Sequence, residues 1–284
     1  MFTKLKKLLK KLFMFLKAIK QCWKVGGITK VEIKQINYGN ILASKNILIT
    51  GGSRGIGLAI AKKCISEGAN VIITGRNEEH LKKTLKEINS NRLKYVVWDH
   101  AIVENCKEKL NECYGLLELS RLDVLINNAG VCMQPLNFFQ TTELLWDQTY
   151  SVNSKGLFFL TQTFCDHCMK KKQPAKVVNI SSQGGLLPAP HPYRMTKWDI
   201  IGLTKGLGKQ LAPHGIIVNG VAPGMIATDM IMRDDDNVFS ELQPNGRLGV
   251  ADEIAELVLF LVSGAADNIV GQTIVCDGGY TSIG

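Results

Sequence analysis

An apolar run, Ile47-Leu48-Ile49, passes straight into Thr50-Gly51-Gly52-Ser53-Arg54-Gly55-Ile56-Gly57, and a helical stretch begins near Ile56. Few architectures place a strand, a glycine-rich turn and a helix in that order. Gly51, Gly55 and Gly57 let the backbone turn tightly, approach a pyrophosphate and bring the helix close to the strand. The helix then aims its positive end at the phosphates. The spacing is Gly-x-x-x-Gly-x-Gly rather than the commoner Gly-x-Gly-x-x-Gly. Its place between strand and helix therefore carries the reading, against the plainer one of a structural glycine turn.

The rest of the chain repeats the alternation. The runs Val71-Ile72-Ile73, Val96-Val97, Val124-Leu125-Ile126, Val177-Val178, Ile217-Val218 and Thr273-Ile274-Val275 read as buried strands, separated by helical stretches. The expectation is a doubly wound parallel sheet of Rossmann type, one domain over residues 45–284. Such sheets bind ligands at the carboxyl ends of their strands, where the topology reverses.

The net charge of +9 suggests an anionic partner until it is located. Residues 1–24 hold eight lysines and no acid; without them the chain has 26 basic and 25 acidic residues. The body is nearly neutral, which argues against a nucleic-acid partner. Within 4–24, Leu5, Leu8, Leu9, Leu12, Leu16, Ile19 and Trp23 fall on one helical stripe, with most lysines opposite. This basic amphipathic helix is too interrupted by charge to cross a bilayer and lacks the form of a secretory signal. Peripheral contact with anionic lipid is one reading. Docking on another subunit or partner, or a loose extension, is the other. Gly26-Gly27 ends the segment, and residues 25–44 read as an extended connector. Eight cysteines lie scattered without a repeating frame, and Cys165-Asp166-His167-Cys168 lacks a second pair at ligand spacing. No metal site is expected. Free thiols place the chain in the cytoplasm, at the inner membrane surface if the lipid reading holds.

The second strand ends in Thr74-Gly75-Arg76. An NAD enzyme is expected to carry an acid there for the ribose 2′-hydroxyl. Arg76 and Arg54 instead supply cations for a 2′-phosphate, so NADP is expected over NAD. Further on, Tyr193 and Lys197 are spaced to share one helix face, with Ser182 upstream. A lysine cation near the phenol is expected to lower its pKa from about 10.

Taken together, Thr50-Gly51-Gly52-Ser53-Arg54-Gly55-Ile56-Gly57, Asp99, Asn127-Asn128-Ala129-Gly130, Asn153, Ser182, Tyr193, Lys197, Pro223-Gly224 and Thr228 resemble the short-chain dehydrogenase/reductase family, in its compact single-domain branch. The resemblance covers residues 45–284 and is closest in style to 3-oxoacyl carrier-protein reductases, though sugar, steroid and polyol enzymes share these motifs. It implies that Asp99 sits by the adenine and that Asn127-Asn128-Ala129-Gly130 closes over the adenosine ribose and supports the sheet. It implies too that Ile226 and Thr228 orient the nicotinamide carboxamide. The implied reaction interconverts a ketone and a secondary alcohol. Tyr193 gives or takes the proton, Ser182 holds the substrate oxygen, Lys197 holds the ribose hydroxyls, and Asn153 anchors a water that resupplies protons. A homodimer or homotetramer is implied as well. The other class, a silent dinucleotide-binding scaffold, is expected to lack one of these residues, and none is missing.

Two departures bear on the site. Ser182 precedes Tyr193 by eleven residues, one or two fewer than usual in the family, across a stretch with three prolines. Ser181 is the alternative serine, and His191 is read as a loop residue in solvent or lining the pocket. Residues 225–246, with Met225, Met230, Met232 and Asp234-Asp235-Asp236, are expected to form the substrate lid.

Overall fold

The computed structural model describes residues 16, 20, 29–31, 33, 36–117, 121–228 and 237–282. Apart from Leu16 and Lys20, both helical and exposed, the amphipathic segment lies outside the described residues, as do Met230, Met232 and Asp234-Asp235-Asp236. No helix among the described residues is long and apolar enough to cross a membrane.

Seven parallel strands form one sheet: β1 (Asn46–Thr50), β2 (Asn70–Gly75), β3 (Leu93–Val97), β4 (Val124–Asn127), β5 (Ala175–Ile180), β6 (Ile216–Pro223) and β7 (Thr273–Cys276). The helices between them are α1 (Gly55–Ser66), α2 (Glu78–Ile88), α3 (Cys106–Gly115), α4 (Glu143–Tyr150), α5 (Leu157–Lys170), α6 (Pro192–Leu211) and α7 (Ala251–Val262). The spatial order is β3-β2-β1-β4-β5-β6-β7. The chain therefore reverses direction between β1 and β4, which pair from Ile47 against Val124 to Ile49 against Ile126. A crevice opens at their carboxyl ends.

The unbroken apolar runs follow from burial on both faces. Successive side chains in a strand point to opposite sides. Thus Ile47, Ile49, Val71, Ile73, Val124 and Ile126 enter the core shared with α1 and α7. Leu48, Ile72, Val96, Leu125 and Val177 enter the one shared with α3 and α5. Each fully buried aliphatic side chain contributes about 1.5–3 kcal/mol relative to exposure. Polar groups in this dry sheet are tied off in a row. Asn127 Nδ2 donates to Thr161 Oγ1 and Asn179 Oδ1, both at 2.8 Å, and Asn179 Nδ2 donates to Thr204 Oγ1 at 2.9 Å. The row pins α5, β4, β5 and α6 together below the crevice. The Asn127 side chain thus faces into the sheet, in keeping with the support expected of this stretch.

Candidate active site

The glycine loop is held by its neighbours as well as by its own flexibility. Gly51 and Gly55 have φ of 65° and 53°, values that an L side chain resists. A Cβ on Gly57 would lie 2.4 Å from the Gly51 carbonyl oxygen, so only glycine lets α1 start this close to β1. The Thr50 hydroxyl accepts from the Asn128 and Ala129 N–H groups at 3.0 and 2.9 Å. Asn128 Nδ2 donates back to the carbonyls of Thr50 and Gly51 at 2.9 and 3.0 Å. No side chain caps the start of α1, at Gly55 rather than Ile56. That leaves a helix N-terminus suited to an anion. Ile56 packs its side chain on the core, so it can offer a ligand only its backbone.

Around this cradle stand the other expected cofactor residues. Ser53 Oγ lies beside Gly75 at the end of β2, next to the exposed Arg76 and near the exposed Arg54. Neither arginine forms an ion pair among the described residues. Asp99 accepts from the Ala101 N–H at 3.0 Å. On the far side, the Gly224 N–H donates to the Cys276 carbonyl at 2.9 Å, fixing Pro223-Gly224 to β7. Ile226 is buried, and the Thr228 methyl comes to 3.5 Å of where a Gly55 Cβ would be.

The reactive groups converge between these two sides. Ser182 Oγ accepts from the Gly184 N–H at 3.0 Å and hydrogen-bonds the Tyr193 phenol in the sense that favours the phenolate. Lys197 Nζ lies 5.7 Å from the Tyr193 ring centre and donates to the Ile180 carbonyl at 3.0 Å. Asn153 sits in a π-helical turn, Ser151–Gly156, and grips Val131 from both sides: Oδ1 accepts from its N–H at 2.8 Å, and Nδ2 donates to its carbonyl at 2.9 Å. The second Nδ2 proton goes to Thr196 Oγ1 at 3.2 Å, so the amide has no donor left for a water. A Cβ on Gly130 would stand 3.4 Å from Asn153 Oδ1 and 3.6 Å from Lys197 Nζ.

A family model for short chain dehydrogenases matches residues 45–238. The chain belongs to that family. It is 39% identical over 249 residues to the 3-oxoacyl-[acyl-carrier-protein] reductase FabG of Aquifex aeolicus, covering 84% of this chain and 98% of that one. Among solved structures it resembles a 3-ketoacyl-(acyl-carrier-protein) reductase from Brucella melitensis complexed with NADH (TM-score 0.77, 27% identity, 84% of this chain and 99% of the other). It also resembles ElxO with NADP bound (TM-score 0.77, 32% identity, 84% and 99%). This short-chain dehydrogenase is thus a nicotinamide-dependent oxidoreductase acting on CH–OH groups.

One expectation for a short-chain dehydrogenase of this sequence changes in the structure, and one alternative left open is decided. Burial pushes the Tyr193 phenol up to about 12, and the hydrogen bond from Ser182 only partly opposes it. The expected lowering by Lys197 is absent because that amine is itself buried, brought down to about 8, and turned to the Ile180 carbonyl. His191 is not in solvent: it is 7% exposed, its ring lies nearly parallel to Tyr193 at 6.5 Å, and Nδ1 has no partner. Burial and Arg194 both lower its pKa. The short proline loop is also well anchored, with Arg194 donating to the Pro188 carbonyl and Trp198 to the Leu187 carbonyl, each at 2.9 Å. Ser181 spends its hydroxyl on the Lys197 carbonyl at 2.8 Å, which leaves Ser182 as the serine facing the phenol. Cys165 and Cys168 are buried thiols pushed up to about 12, and no metal-holding cluster occurs among the described residues.

Sequence reasoning passed over Thr50 and Asn128 as positioning groups and over Gln183, whose buried Oε1 lacks a partner and lies beside Gly224. A hydroxyl closing an otherwise apolar strand was the signal for Thr50. Nothing local marks Gln183.

Proposed function

We propose that this short-chain dehydrogenase reduces a ketone to a secondary alcohol with NADPH, using Tyr193 as proton donor. The observation that carries the reading is the convergence of Ser182, Tyr193 and Lys197 beside the glycine cradle. When bound, the nicotinamide supplies the hydride. Gly51, Gly55 and Gly57, with the start of α1 and Ser53, hold the phosphates. Asp99, Ala129 and Gly130 line the adenosine side, and Ile226 and Thr228, following Pro223 and Gly224, line the nicotinamide side. Ser182 donates to the substrate oxygen and stabilises charge as it develops there. Tyr193 then gives that oxygen its proton, and a phenol held near 12 stays protonated and ready across the neutral range. Lys197 holds the ribose hydroxyls. Asn153 fixes Val131 and the wall behind Lys197, and its Oδ1 keeps a second lone pair that can accept from a proton-resupplying water.

Arg54 and Arg76 support the preference for NADP, since each can give charge-assisted hydrogen bonds to a 2′-phosphate. Replacing both by alanine should lower kcat/KM for NADPH about 10²–10⁴-fold, at about 1.5–3 kcal/mol for each of two lost charged bonds. The value for NADH should stay within about threefold, as an uncharged hydroxyl gains little from either cation. A clear NADH preference in the unaltered protein would overturn this choice.

Substrate class is tested by NADPH oxidation across 3-oxoacyl thioesters, keto sugars and steroid ketones. The name of the Aquifex relative supports the narrower reading, reduction of a 3-oxoacyl thioester. Absence of turnover on every carbonyl class would sink the reductase proposal. Copies of the chain are proposed to pair across α5 and α6, where Phe158 and Phe159, 42% and 38% exposed, line an apolar groove with Leu157, Ile200 and Leu203. Sedimentation should give a dimer or tetramer that Phe158→Glu weakens; a monomer at tens of micromolar would refute it.

A further inference from the structure

The segment upstream of the family match is built into the catalytic domain. The family model begins at residue 45, yet Thr29, Val31 and Ile33 lie against the far side of the loop that leaves β6. The Thr29 N–H donates to Asn237 Oδ1 at 3.3 Å, and the Val238 N–H donates to the Thr29 carbonyl at 3.0 Å. Val31 and Ile33, two residues apart and so on one face of an extended chain, pack on Ala227, Val238, Leu248, Val250 and Met225.

Backbone bonds continue inward from that contact. The Leu248 N–H donates to the Val238 carbonyl at 2.7 Å, the Gly249 N–H to Met225 at 2.9 Å, and the Ala227 N–H to Gly249 at 2.9 Å. Thr29, Val238, Leu248-Gly249 and Met225–Ala227 thus form a small ladder whose inner edge carries Ile226 and leads directly to Thr228. The other end of the segment is clamped to the domain. Lys63, 2% exposed, donates to the Ile36 carbonyl at 2.6 Å, lies 3.3 and 3.0 Å from Glu67 and Glu256, and stands 5.4 Å from the Tyr38 ring centre. The Tyr38 N–H donates to Glu67 Oε1 at 3.1 Å, and Leu42 is buried in the core. A buried cation on α1 facing carboxylates from α1 and α7 is a demanding arrangement to leave open to water.

We propose that Thr29, Val31 and Ile33 form a positioning strap: the outermost contact of the ladder that holds Ile226 and Thr228 against the nicotinamide side of the site. This rests on the nicotinamide-side assignment of those two residues made above. It makes the upstream segment part of the catalytic apparatus, so the strap acts on how the nicotinamide and substrate are presented more than on whether the dinucleotide binds, because the phosphate cradle lies on a different loop.

The test uses the full chain with Val31→Asp/Ile33→Asp, with Asn237→Ala as a milder variant that removes the side-chain acceptor shared by the Thr29 and Phe239 N–H groups, and with Val31→Ile/Ile33→Val as the conservative control. Three quantities are read: hydrogen exchange at the Val238 amide, the fluorescence of bound NADPH with its Kd, and kcat and KM for a reducible ketone. Exchange at Val238 should rise at least tenfold in the aspartate variant and severalfold in Asn237→Ala. The bound nicotinamide fluorescence should shift while the Kd stays within about threefold, kcat/KM should fall at least tenfold, and the conservative control should match the parent. Unchanged Val238 exchange would overturn the attachment itself. Faster exchange with unaltered nicotinamide fluorescence would overturn the positioning role and leave a segment that only adds stability. The exchange and fluorescence arms need no turnover, so they decide the matter even if the reductase reading fails.

Discussion

Tyr193→Phe should leave a folded protein that binds NADPH and turns over ketone roughly 10²–10⁴-fold more slowly, the range for loss of a positioned acid. The ring stays in place: it lies beside His191 and over Lys197, and only the hydroxyl that Ser182 meets is removed. Loss of that one hydrogen bond costs stability about 0.5–1.5 kcal/mol. The phosphate cradle is untouched, so an NADPH titration should give a Kd close to the parent. Single-turnover hydride transfer then reads the chemical step alone. Activity within tenfold of the parent would remove Tyr193 from the mechanism, because no other group among the described residues presents a hydroxyl to Ser182 at this place.

Lys197→Met should have opposite effects on activity and stability. The lysine is 5% exposed, and burial brings its pKa from 10.5 down to about 8. Between about pH 8 and 10.5 the unfolded chain therefore binds more protons than the folded one. Stability of the parent rises with pH through that window, and at neutral pH the buried charge costs up to about 3 kcal/mol. Methionine removes the charge but orphans the Ile180 carbonyl. The net gain is expected to be about 2 kcal/mol at pH 7, or about 5 °C in Tm for a domain of this size, and to vanish above about pH 10.5. Reductase activity should fall by at least about 100-fold. In the parent, kcat/KM for reduction should decline above about pH 8 as Lys197 loses its proton, since the phenol does not titrate until about 12. A Met variant less stable than the parent at pH 7 would show that Lys197 is not carried as an unfavourable charge. A profile flat to pH 10 would separate catalysis from its protonation.

Much of this was readable along the chain because the relevant physics is local. A strand buried on both faces must be apolar at nearly every position, so the central runs appear without alternation, whereas β3 and β7 at the sheet edges leave Val97 and Val275 exposed. A backbone at φ of 65° or a helix start packed onto a carbonyl accepts only glycine, so Gly51 and Gly57 declare themselves. Tyr193 and Lys197 share a helix face by spacing alone. What could not be read depends on partners distant in sequence. Asn127 turns into the sheet because Thr161 and Asn179, 34 and 52 residues away, offer it bonds there. His191, left open between solvent and the pocket wall, is covered only because the chain around it closes. The expected lowering of the Tyr193 pKa by Lys197 is absent and burial raises it instead, because proximity along a helix says nothing about how much water the fold removes from both groups.

By itself the sequence determined the kind of sheet, the glycine turn that opens α1 and the shared helix face of Tyr193 and Lys197, since strand periodicity, glycine sterics and helical spacing act over a few residues. Only the tertiary structure decided the protonation of those groups, which of two adjacent serines meets the phenol, and that Thr29, Val31 and Ile33 dock beside Val238. Burial and hydrogen-bond competition are set by segments up to 208 residues apart, and they are settled only when the chain has closed on itself.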